Sequence, residues 1–494
     1  MDEPRASAAQ DPNLTRRALL GKAAGLGLAA STLGALEALA WTPMRASAAA
    51  PPSLPDIQFA IGDFIPPAIT VDGVDFRFGP TYTLFSTIEL QRAPTKADQA
   101  SLATALATIE ANYPFTPEGV FTFVSYGIPY FERLPGGMTG SLVSAQMPRL
   151  LEDPTRFALE EAVPGPSDVS SGNPGVAKLT FNVPVQIESN DMLVTLRSDS
   201  TGILNDVLGW LIGRRSTLNG HRVGNSGLGH LLRVSSSRLM FQQRGLPRKV
   251  ATAHRLSFSR SVNPESPMWM GFADQQVAGS GPPEITTFAG NPSAKLTTAL
   301  SGSYFDNGAI AHLSHVIQDL AQFYARPEEP YTERAQYMFR SNPIPSTGYG
   351  DQFTNGGGPS YLPNAFQGPG DAAQAAAAVN TYEGKRRIGH LSALQRSSRA
   401  ADGTPIHIRA DGPGFDSLDV PDGSRQPKLQ FSIFVPTAEF FRTMRRNQAA
   451  QDLAQQFNVP SEDNGLERFI TATRRQNFLV PPRRHRSFPL LELT

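Results

Sequence analysis

Residues 386–414, RRIGHLSALQRSSRAADGTPIHIRADGPG, set a histidine, a basic run and an arginine ahead of a turn-rich Asp-Gly-Pro-Gly. His390 and Arg409 lie 409 − 390 = 19 residues apart, and Ala401 to Pro405 supplies a turn able to fold the second segment back over the first. Both side chains can thereby face one pocket. A neutral imidazole is the usual proximal ligand of haem iron, and a fixed guanidinium above the iron stabilises negative charge developing on bound peroxide. The pair reads as a redox site. The plainer alternative is that His390 is an ordinary histidine satisfied near a helix end.

A second stretch, Pro267-Met268-Trp269-Met270-Gly271-Phe272-Ala273-Asp274-Gln275, sets a glycine three residues before an aspartate. The glycine lets the backbone approach a flat ligand, and the carboxylate then points at whatever lies above it. Trp269 is read first as core packing, with electron relay as the other role. His407 precedes Arg409 by two residues, so on a strand both face one side, and it is the fallback ligand or distal partner. His312 and His315 have the i, i+3 spacing of a metal pair on a helix, but their surroundings read as a strand and no cysteine or carboxylate set completes a site.

These residues resemble the dye-decolourising peroxidases, haem proteins built from two ferredoxin-like domains in a dimeric α+β barrel like that of chlorite dismutases. Gly271 and Asp274 match the glycine and aspartate of that family's GxxDG motif, with Gln275 in place of its last glycine. His390 matches the proximal ligand, and Arg409, followed by Pro413 and Gly414, matches the distal arginine. The resemblance covers most of residues 57–490 in plan, strongest from Met268 to Arg446, and marks a divergent branch in which Asp411 stands where some relatives carry asparagine. It implies non-covalent haem b, one per chain, ligated by His390 and lying against Gly271, Phe272 and Arg409. Asp274 would move the proton of peroxide and Arg409 would stabilise the charge, while small organic reductants give up single electrons. A haem-free binding or structural protein on the same scaffold is the alternative, favoured by Gln275.

Composition narrows the field. The chain of 494 residues is 40% hydrophobic and 18% charged, enough for more than one packed core. Forty-four basic residues balance 44 acidic ones, which removes the bulk electrostatic case for nucleic acid as partner. Cysteine is absent, excluding disulfides, thiolate metal sites and covalent haem attachment. Asn13 to Lys22, NLTRRALLGK, carries a twin-arginine pair before a small and apolar run, with Ala46-Ser47-Ala48 as a cleavage signature. Residues 1–50 are therefore expected to be a signal peptide read by the twin-arginine export machinery, delivering the protein to the periplasm, cell surface or medium. A homo-oligomer is compatible with all of this. No P-loop, nucleophile elbow or dinucleotide fingerprint accompanies these features.

Positioning such a site takes a scaffold. Tyr82–Gln91 reads as strand, Lys96–Tyr113 as a helix capped by Thr95, Val120–Ser125 as strand, and Leu179–Ile187 as an alternating strand continued by Asp191–Arg197. Ile203–Ile212 reads as helix and Leu228–Gln242 as strand. This order is the split βαβ plan of a ferredoxin-like domain, placed at 56–262. The plan recurs in 263–494, with its seam at Asn263–Pro267. Here Ala309–Val316 is strand, Ile317–Tyr324 a short helix, Leu429–Val435 a strand with alternate residues inward, Ala438–Phe457 one long helix and Arg468–Val480 the last strand. The Gly/Pro-rich stretch 341–371 is expected to be an insertion, either a lid or a disordered segment. The paired arginines 445–446, 474–475 and 483–484 are expected on solvated basic faces.

Overall fold

The computed structural model of the chain describes residues 53–67, 69–71, 74–169, 176–264, 266–270, 283–290, 295–325, 380–382, 385–388, 407–460 and 465–494. The expected signal segment, the 341–371 insertion, Gly271, Phe272, Asp274, Gln275 and His390 lie outside them.

In the amino-terminal half, β1 (Tyr82–Leu90), α1 (Lys96–Asn112), β2 (Phe121–Tyr126), β3 (Met192–Ser198), α2 (Thr201–Leu211) and β4 (Leu232–Phe241) follow one another. In the carboxy-terminal half come β5 (Ala309–Gln318), α3 (Leu320–Ala325), β6 (Gly412–Asp416), β7 (Gln426–Val435), α4 (Ala438–Ala449), α5 (Gln451–Phe457) and β8 (Ile470–Val480). Within one large sheet, the first four strands lie in the order β4-β1-β3-β2 and the last four in the order β8-β5-β7-β6. All of these pairings are antiparallel. Each half thus has its first strand central and its fourth at one edge, the strand order of a ferredoxin-like unit, and β2 meets β8 between them.

The sheet curls round on itself. A Cβ placed on Gly412 would lie 3.0 Å from the Met240 side chain, and one on Gly414 would lie 3.0 Å from the Leu239 carbonyl oxygen. Only glycine lets β6 come this close to β4. Trp269 spans the same seam, its ring 5.8 Å from Phe241 and 6.3 Å from Phe415. Phe85, Leu193, Met240, Leu313 and Phe478 converge from five strands to fill the middle of the barrel. At one end Phe59 stacks on Phe434 with centroids 4.2 Å apart, closing the barrel with the segment that precedes β1.

Local signals explain the elements that form as expected. In α1, Thr95 and Asp98 make a reciprocal capping box, and Leu102, Leu106, Ile109 and Tyr113 are buried at helical spacing. Thr95→Ala is expected to lower unfolding stability by ~1 kcal/mol, checked by urea denaturation.

Four expectations need correction. Leu179–Ile187 alternates in burial as read, yet only Gln186–Ile187 pairs, parallel to β8; Pro184 lacks the amide that a ladder needs. The expected 438–457 helix is two helices, because Ala450 adopts φ 48° and ends α4. In β7 the expected inward residues divide: Ile433 and Val435 are buried as read and Leu429 and Phe431 are only half-buried, while Lys428, Gln430, Ser432 and Phe434 on the opposite face are buried too, inside the barrel. The arginine pairs are not simply solvated: Arg475 is 2% exposed at its side chain and Arg445 12%, while Arg483 pairs with Glu110.

Candidate active site

A cavity of about 220 Å³ lies between the outer face of the carboxy-terminal half-sheet and α4. Strand alternation decides what reaches it. On β5, Ser314, Val316 and Gln318 line the cavity, while Leu313 fills the barrel. On β8 the register slips opposite His315 and Val316, so that Ala472 and Arg475 both line the cavity despite their odd separation. Met268, Met270, Phe431, Met444, Leu466 and Ile470 make most of the remainder apolar.

Arg409 is among the lining residues, brought there by the pairing of Ile408 and Arg409 with Phe434 and Ile433 on β7. His407 lines the same cavity and is buried, so the two-residue spacing does place both on one side. His390 and Asp274 lie outside the described residues, and their position relative to Arg409 stays an expectation.

One end of the cavity is ionic. Arg475 donates to Asp168 at 2.7 Å, and Arg445 grips Glu467 with two N–H groups at 3.1 and 3.0 Å. Ser167 accepts from Arg445 at 2.8 Å and donates to Glu467, and Lys178 Nζ donates to the Glu467 carbonyl at 2.5 Å. Burial alone would raise the Glu467 carboxyl, but the Arg445 guanidinium outweighs it and holds the group down at about 2. Burial brings the Lys178 ammonium down to about 8. Three cations face two carboxylates here, an excess of one positive charge in a largely buried setting. Nothing in the sequence pointed to this cluster, because Asp168 and Glu467 come from segments 467 − 168 = 299 residues apart.

His312 and His315 do not form a metal pair. Three residues apart on β5, they leave from opposite faces: His312 meets Ser314 and Asn477, whereas His315 meets Thr473 and lies 3.3 Å from Asp416. Among the described residues no group of histidines and carboxylates is arranged to hold a metal ion.

Fold and site together define an α+β barrel of two ferredoxin-like halves with a largely apolar cavity over the second. The chain belongs to the family described as a family of unknown function, DUF7405, which matches residues 80–482. No curated protein matches it. Among solved structures it is similar to a putative DyP-type peroxidase from Shewanella oneidensis, at 14% identity over 84% of this chain and 96% of that one, TM-score 0.45. A DyP-type peroxidase from Cellulomonas bogoriensis shares 12% identity over 82% of this chain and 90% of that one, TM-score 0.47. One from Streptomyces coelicolor shares 14% over 82% and 90%, TM-score 0.46. At these identities any statement about activity must come from the residues of this chain.

Proposed function

We propose that the protein is an exported haem-dependent peroxidase that reduces hydrogen peroxide and oxidises small organic reductants by single electrons. The observation that carries this reading is Arg409, set with His407 on the wall of an apolar cavity whose far end carries surplus positive charge. Apolar walls, an imidazole, a guanidinium and a cationic end form a donor set that fits a flat apolar group bearing carboxylates. The two halves would divide near Asn263, with the haem in the second.

When bound, the haem would supply an iron that accepts peroxide and drives its reduction. His390 would ligate the metal, with His407 as the described alternative, and Gly271 and Phe272 would lie against the ring. Asp274 would take the proton from one peroxide oxygen and return it to the other, and Arg409 would hold the developing negative charge by donated hydrogen bonds. Met268, Met270 and Phe431 would exclude water from that charge, strengthening the contribution of Arg409.

A haem-free protein on the same scaffold is the second reading. It is favoured by the cavity's size, about 220 Å³ against the roughly 300–1,000 Å³ usual for sites that enclose a ligand. Expression with a haem precursor separates the two. A Soret band on the purified, folded chain is expected, and a folded chain without one would overturn the peroxidase. With pigment retained, Arg409→Ala is expected to slow the reaction with peroxide about 100-fold in stopped-flow measurements.

Export would follow from the twin-arginine segment, and cell fractionation would test it. No helix among the described residues is long and apolar enough to cross a membrane.

A further inference from the structure

A closely oriented polar chain starts at the cavity wall with Ser314 and runs behind it through His312 to Asn477. His312 and Ser314, two residues apart on β5, share its outward face, and across the ladder they stand opposite Asn477 and Arg475 of β8. Ser314 Oγ lies 2.6 Å from His312 Nε2, and His312 Nδ1 lies 2.6 Å from Asn477 Oδ1. The amide cannot be turned over, because Asn477 Nδ2 donates to the Glu160 carbonyl at 2.8 Å. Its oxygen therefore faces the ring and places the imidazole proton on Nδ1. Nε2 is left as the acceptor for the Ser314 hydroxyl. Phe441 stacks on the ring with centroids 3.2 Å apart, fixing its plane. Burial, helped by Arg475, keeps the imidazole far below its ordinary pKa and so neutral.

Ser314 is among the residues that line the cavity, so the head of this chain stands at the wall of a space that a ligand can occupy. Arg475 Nη1 donates to Ser314 Oγ at 3.4 Å, and its other arm is held by Asp168 at 2.7 Å. Its Nε is a buried donor with no acceptor among the described residues. A nucleophile in contact with a base, a base oriented by a third group, and a cation beside the nucleophile are the parts acyl transfer requires. Rigid strands carry all four residues.

We propose that Ser314, His312 and Asn477 form a nucleophilic site that, in the haem-free protein, hydrolyses small apolar carboxylic esters admitted to this cavity. Ser314 Oγ bonds to the acyl carbon, its proton passes to His312 Nε2, and the carbonyl electron pair moves onto oxygen, where Arg475 donates to it. The bond to the leaving alcohol then breaks as His312 returns the proton to that alcohol. Water repeats the sequence on the acyl-serine and releases the acid, so that ester and water give acid and alcohol. Asn477 is a positioning residue that acts through the tautomer of His312.

The test treats the full-length protein with a fluorophosphonate probe, maps the adduct by peptide mass spectrometry and follows p-nitrophenyl butyrate hydrolysis. A single adduct on Ser314 is expected in the haem-free protein, and both adduct and hydrolysis disappear in Ser314→Ala, which removes one oxygen and keeps the fold. His312→Gln is expected to slow labelling about 100-fold. Asn477→Asp, which still accepts from Nδ1, should keep labelling within about tenfold, whereas Asn477→Leu should lose more than that. If the His312 variant does not fold, the contrast between the two Asn477 variants decides. A folded protein with no adduct at Ser314, hydrolysis unchanged in Ser314→Ala, or labelling indifferent to both His312 and Asn477 would overturn the proposal.

Discussion

Arg445→Met is expected to destabilise the protein by ~3–5 kcal/mol, because it strands a buried carboxylate. The Glu467 side chain is 1% exposed, and its two oxygens take their charged hydrogen bonds from Arg445. Removing both partners is different: Arg445→Met with Glu467→Met should recover most of the loss, since apolar groups need no compensation in that setting. Urea unfolding of the three proteins measures this, and a single variant within about 1 kcal/mol of the parent would show that water already compensates Glu467. The same carboxylate carries a pH signature. Its folded value near 2 lies below the ordinary 4.5, so its stabilising contribution is present above pH 4.5 and is lost as pH falls towards 2. Glu467→Gln should flatten that part of the acid limb.

Trp269→Ala is expected to cost a further ~3–5 kcal/mol by a different route, the opening of a cavity at the barrel seam. The indole is 1% exposed and packs against Phe241 of β4 and Phe415 of β6. It also donates to the Gly414 carbonyl at 3.0 Å, while its own carbonyl accepts from the Tyr324 hydroxyl at 2.6 Å. Trp269→Phe keeps a ring but leaves the Gly414 oxygen without that donor, so a loss of ~1–3 kcal/mol is expected. Guanidinium titrations that place both variants within error of the parent would show that the glycine contact of β6 with β4 holds the seam alone. Packing and these hydrogen bonds account for the burial of Trp269.

Much of the scaffold was legible because it rests on short-range chemistry. β1, β2, β3 and β4 carry β-branched and aromatic runs, and α1 announces itself through Thr95, Asp98 and its apolar spacing. The break at Ala450 was not legible, since Gln448-Ala449-Ala450-Gln451 contains good helix formers and no glycine or proline. Burial of Ala450 with Ile388, Leu453 and Val459 holds the left-handed turn there. The arginine pairs misled for a related reason: two adjacent charges on a strand look alike in sequence, but alternation sends Arg475 to the cavity and Arg474 towards Asp419 and Glu188.

By itself the sequence determined the antiparallel α+β plan, the shared side of His407 and Arg409, and the absence of any cysteine chemistry, because each follows from residue type or from spacing within one element. Tertiary structure alone decided that Ser314, His312 and Asn477 make a connected chain and that Asp168, Lys178, Arg445, Glu467 and Arg475 share one buried cluster. Those groups lie up to 477 − 168 = 309 residues apart, and the pairing of β5 with β8, with α4 and the segments around Asp168 and Glu467 packed over them, brings them within hydrogen-bond reach.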